Sequence, residues 1–117
     1  MSIDDSDDPA REARLAQLRL RFRTTLDQRV TGILTLATTV RVGPWPGPGS
    51  EAFLAEVHSL AGSAGLFGHA RIGDAAAAIE RILAGFARRQ TATAVDIAML
   101  REAAKRLQAA HASATDT

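Results

Sequence analysis

Cysteine is absent from the 117 residues. That removes a disulfide scaffold, a thiolate zinc site and a cysteine nucleophile at once. Tyrosine is absent too, and there are only four Phe and one Trp. Net charge is nearly absent: 14 basic and 13 acidic residues leave +1. Such a balance gives no support to nucleic-acid or membrane-surface binding driven by bulk charge. No apolar run reaches bilayer-spanning length. The opening Met-Ser-Ile-Asp-Asp-Ser-Asp-Asp is acidic where a secretory signal is basic and then apolar. The expectation is a soluble, cytoplasmic protein with neither a nucleic-acid nor a membrane partner.

What the chain has in quantity is alanine, 24 residues of it. Alanine is the best helix former and a poor strand residue, so the expected fold class is all-α. The length suits a single domain. Residues 1–9 read as a disordered acidic tail and 10–115 as one domain. Leu15, Leu18, Phe22, Leu26, Val30, Ile33, Ala37 and Val40 recur every three or four residues, which marks one face of a long first helix. Arginines 11, 14, 19, 21, 23 and 29 crowd its first half. They read as a solvated face, or as a docking surface for an acidic partner. Three prolines and three glycines between Gly43 and Gly49 end that helix. Trp45 within this connector is expected to cap one end of the core.

Ser50 is the expected N-cap of a second helix reaching about Gly68, with Phe53, Val57, Leu60, Ala64 and Phe67 as its apolar stripe. A third runs from about Ala70 to Ala87, with Ile72, Ala75, Ala76, Ile79, Ile82, Leu83 and Phe86 facing inward. Thr91 to Thr93 read as a turn, and Thr93 with Asp96 as a capping box. Val95, Ile97, Leu100, Ala104, Leu107 and His111 suit the inner face of a fourth helix, whose last six residues are expected to fray. Short connections make neighbours antiparallel, so the expected architecture is an up-down four-helix bundle, with a monomer as the expected state.

The second helix carries the chemistry. At ~100° per residue, His58 points ~140° away from the apolar stripe, which places it in solvent. Its neighbours on that face are Leu54, Ala55, Ala61, Gly62 and Gly65, all small but one. Gly62 and Gly65 each cost about 1 kcal/mol relative to alanine inside a helix. Glycine at such positions suits a close approach to the backbone from outside. A neutral imidazole nitrogen is a competent nucleophile toward phosphorus, yet no base, metal cluster or phosphate loop accompanies this one in sequence. A docking partner would have to supply the magnesium and electrostatics that phosphoryl transfer needs.

Other candidates are weaker. His69 suits a turn or capping role, and His111 partly buried packing. The three histidines lack a zinc-binding spacing. None of Glu51, Glu56, Glu80 and Glu102 lies three or four residues from His58. Ser59 at ~100° and Ser63 at ~140° are poorly placed for a dyad with it.

The run His58-Ser59-Leu60-Ala61-Gly62-Ser63-Ala64-Gly65-Leu66-Phe67-Gly68 resembles the signature of histidine-containing phosphotransfer (HPt) domains. The stretch Ala75 to Leu83, with Glu80, is similar to the family's next helix. The resemblance implies a four-helix bundle in which His58 is phosphorylated, on Nε2. It implies transfer to and from aspartates on receiver domains of response regulators and of a hybrid sensor histidine kinase. The chain would be a phosphoryl carrier without catalytic turnover and without its own cofactor, Mg²⁺ coming from the receiver. Gly62 would open the surface beside His58. Many members carry a lysine three residues after the histidine, where this chain has Ala61. Arg71 or an arginine of the first helix is then the expected counter-charge. The alternative is a helical module that docks a receiver or kinase without being phosphorylated.

Overall fold

The computed structural model describes residues 8–115. Positions 1 to 7 of the expected acidic tail lie outside them. Helix α1 spans Pro9–Thr39, α2 Ser50–Leu66, α3 Ala70–Arg89 and α4 Ala94–Thr115. Each helix packs on its sequence neighbours, and α4 closes the ring against α1. This is the four-helix bundle that the apolar periodicities require. Phe22, Leu26, Val30, Ile33 and Ala37 of α1 meet Phe53, Val57, Leu60 and Ala64 of α2 in a common core. Helix α3 adds Ile72, Ala76, Ile79, Leu83 and Phe86, and α4 adds Ile97, Leu100, Ala103 and Leu107.

Pro9 opens α1 rather than closing a tail. Its missing N–H is no loss at the first helical position, and the Asp8 carboxylate caps the start by accepting from the Ala10 N–H. From Pro9 to Arg21 every residue is exposed except half-buried Leu15. Leu18, expected on the core stripe, is 46% exposed. Its direction is right, but Phe22 is the first α1 residue that the core covers. The ring of Phe22 sits 5.1 Å from that of Phe67, just past the end of α2. The first half of α1 therefore projects about 20 Å beyond the bundle, at about 1.5 Å per residue.

The connector is more ordered than a plain loop. Gly43–Pro44 (β1) pairs antiparallel with Thr91–Ala92 (β2), Gly43 opposite Ala92. The turn expected at Thr91 is thus one side of a clasp across the bundle's end. The Trp45 N–H donates to the Gln90 carbonyl at 3.1 Å. The Trp45 ring lies edge-on to Phe86, 5.2 Å between centroids, and so covers one end of the core as expected. Gly49, with φ +81°, takes the N-cap of α2 in place of Ser50. The buried Ser50 hydroxyl instead donates to the Gly47 carbonyl and accepts from the Gly47 N–H, both at 2.7 Å.

Helix α2 ends in a left-handed Gly68, φ +87°. The His69 N–H reaches the Ala64 carbonyl and the Gly68 N–H the Gly65 carbonyl, the pattern of a Schellman stop. At the start of α4 the capping box forms as read. Thr93 Oγ1 accepts from the Asp96 N–H, and Asp96 Oδ2 accepts from the Thr93 N–H, both at 3.2 Å. Val95, expected inside, is 70% exposed, and Ala103 is more deeply buried than Ala104. Of the six residues expected to fray, Ala112 to Thr115 continue α4, and the last two lie outside the described residues.

Candidate functional site

The core stripe of α2 fixes the direction of its next residue. Val57 is fully buried, and the His58 side chain, one position on, is 77% exposed. Leu54, Ala55, Gly62 and Gly65 are exposed around it, and Ala61 is half-buried against the core. A Cβ built on Gly62 or Gly65 would meet nothing within 4 Å. Neither glycine is needed by the chain's own packing, so the openness of this face is directed outward. Leu66, one turn beyond Gly62, is 78% exposed and widens the same apolar patch. It was not among the residues expected on this face.

Two side chains from other helices flank His58. From α3, the Glu80 carboxylate meets His58 Nδ1 through Oε2. A carboxylate only accepts, so in the neutral ring the proton lies on Nδ1. The lone pair of Nε2 is then the one available for bonding. The search for carboxylates three or four residues from His58 could not find Glu80, which lies across the helical hairpin. Its signal was present nonetheless: His58 and Glu80 are equally far from His69 in sequence, and antiparallel helices bring such positions level.

From α1, Arg29 Nη2 donates to the Ser59 hydroxyl at 2.7 Å. The guanidinium carbon also lies 5.4 Å from the centre of the Phe22 ring. Ser59 thus serves Arg29. Arg71 is nine residues from Glu80 along α3, on the order of 13 Å away from this level. Of the two sources of counter-charge expected, the first helix is the one that reaches the histidine's flank.

Gly73, which the sequence reading did not single out, sets the spacing behind this face. Its Cβ would lie 3.2 Å from the Gly65 nitrogen and 3.3 Å from the Ala61 oxygen. Glycine lets α3 lie directly on the α2 backbone below the patch. His69 stands at the N-cap of α3 but makes no side-chain cap bond. Its ring packs on Phe22, 5.6 Å between centroids. His111 Nε2 meets Asp27 Oδ1 at 2.6 Å and ties α4 to α1. The three histidines therefore serve three separate contacts. Among the described residues no group of three or more metal-ligating side chains is gathered, and no helix is long and apolar enough to cross a membrane.

His58 is thus an exposed imidazole with one nitrogen engaged, set in a patch of small residues, and a neutral imidazole nitrogen is a competent nucleophile. Among families, the Hpt domain matches residues 12–110, most of the chain. No curated protein and no solved structure matches it.

Proposed function

The chain belongs to the Hpt domain family, whose members carry phosphoryl groups on histidine in two-component signalling, and on that premise we propose that His58 is its phosphoryl-accepting residue. The contact between Glu80 and Nδ1 carries this reading, because it leaves Nε2 of an exposed ring free to attack. Nε2 attacks the phosphorus of an aspartyl phosphate on a receiver domain. The N–P bond forms as the bond from phosphorus to the aspartate oxygen breaks, and the aspartate leaves as carboxylate. The ring becomes a phosphoimidazolium whose Nδ1 proton faces Glu80, which offsets the new positive charge. The reverse step passes the group to a second receiver, in a response regulator or a hybrid sensor histidine kinase. Mg²⁺ held by the receiver would supply charge neutralisation for the transferred group; the chain itself contributes nucleophile and geometry, without catalytic turnover.

Leu54, Ala55, Ala61, Gly62 and Gly65 form the docking surface in this reading, and Leu66 extends it. One chain already supplies four helices, which favours a monomer. The test is transfer of label from a phosphorylated receiver domain or hybrid kinase. Label is expected on the wild type and not on His58→Gln. Label on both would move the site elsewhere, with His69 next in line. Receiver binding without label on either protein would establish a docking module that is not phosphorylated. Gly62→Leu is expected to block docking while leaving the fold intact, since that position faces open space.

A further inference from the structure

We propose that Arg29 is the cation that balances the phosphoryl group on His58, reaching it from α1 by exchanging its hydrogen bond to Ser59 for the phosphoryl oxygens. This rests on His58 being the acceptor. The need for such a cation follows from the site's composition. A phosphoryl group on Nε2 brings negative charge to a face made of Leu54, Ala55, Ala61, Gly62 and Gly65, none of which is charged. The titratable neighbour from α3 is Glu80, itself an anion. Without a further cation, the phosphoryl dianion and the Glu80 carboxylate would carry more negative charge than the single positive charge of the ring between them offsets.

Arg29 is built to answer this. Its partner Ser59 adjoins His58 in sequence and faces α1. Both of its contacts, a hydroxyl and the Phe22 ring, are uncharged, and no carboxylate among the described residues forms an ion pair with it. Nearby Asp27 is engaged by His111. A guanidinium has five N–H donors in a fork that fits phosphoryl oxygens. Held by a neutral hydroxyl, it breaks no ion pair on switching to an anionic acceptor, whose oxygens match its fork bidentately.

The test separates this role from the receiver. Phosphoramidate serves as a small-molecule donor: His58 Nε2 forms the N–P bond as the donor's P–N bond breaks and ammonia leaves. Wild type, Arg29→Ala, Arg29→Lys and Ser59→Ala are labelled, and the phosphohistidine is followed by ³¹P NMR against pH. A neighbouring guanidinium favours the dianion, so Arg29→Ala should raise the phosphoryl titration midpoint by about one unit. It should also shift the exchange equilibrium with a receiver roughly tenfold toward the receiver. Arg29→Lys should restore most of both effects, and Ser59→Ala should leave the midpoint at its wild-type value. A merely structural Arg29 would move neither quantity. Normal labelling with an unchanged midpoint and equilibrium in Arg29→Ala overturns this proposal alone. Failure of the wild type to be labelled on His58 overturns the function proposed above and this role with it.

Discussion

A histidine ring offers two nitrogens, and which one reacts depends on what holds the other. Here Glu80 holds Nδ1. Its removal leaves the ring free to turn and to take the other tautomer. Glu80→Ala should therefore slow labelling of His58 by roughly tenfold, a barrier change of about 1.4 kcal/mol. The check is the initial rate of transfer from a phosphorylated receiver, with the helical circular-dichroism signal unchanged. Asp96 gives a second prediction at this scale. The Thr93 backbone N–H, then the Thr93 hydroxyl and the Arg89 guanidinium, hold its carboxyl below the ordinary value of 3.8. A carboxyl depressed on folding contributes stability that is full above 3.8 and is lost as pH falls through the folded value. Asp96→Asn should be less stable than wild type near neutral pH, and the gap should narrow on acidification below 3.8, as read from urea midpoints. His58 and the Thr93–Asp96 cap were legible in sequence because both depend on spacing within one helix. Glu80 was not assigned to His58, and Arg29 was not singled out among the arginines of the first helix, because their relation to His58 is set by how three helices align.

The periodicity of apolar residues placed all four helices, since a stripe needs only its own helix to be recognised. Elements held by contacts across the chain were harder to see. The clasp of Gly43–Pro44 with Thr91–Ala92 is two residues on each side, too short for any alternating pattern. Ser50 looked like an N-cap by residue type, but the left-handed turn at that point admits Gly49 instead. Glycine illustrates the same division. Gly62 and Gly73 sit in adjacent helices with opposite surroundings. Gly62→Ala should stabilise the fold by about 0.5–1 kcal/mol, the helix-propensity gain at an open position. Gly73→Ala presses a methyl onto the α2 backbone and should destabilise it by about 1 kcal/mol after the same gain is counted. Denaturant unfolding of the two variants should give shifts of opposite sign.

The radius of gyration is 17.0 Å, where a compact chain of this length would have about 13 Å. The projecting half of α1 accounts for much of the excess. It carries Arg11, Arg14, Arg19 and Arg21, all exposed, on a stretch with little of its own to hold it folded. Limited trypsin digestion should cut there first and leave a resistant fragment that contains all four helices of the bundle and His58. Early cleavage within α2 or α3 instead would contradict that order of stability. The bundle's closure has a further consequence for recognition. Helix α2 lies between α1 and α3, so the His58 ring has a guanidinium border on one side and a carboxylate border on the other. The face is handed. A partner whose charges run in the matching order is turned correctly as it approaches, while one with the reverse order meets repulsion at both borders. On the proposed role of His58, receivers would be sorted by the sequence of charges across a few ångströms before any of them touched Nε2.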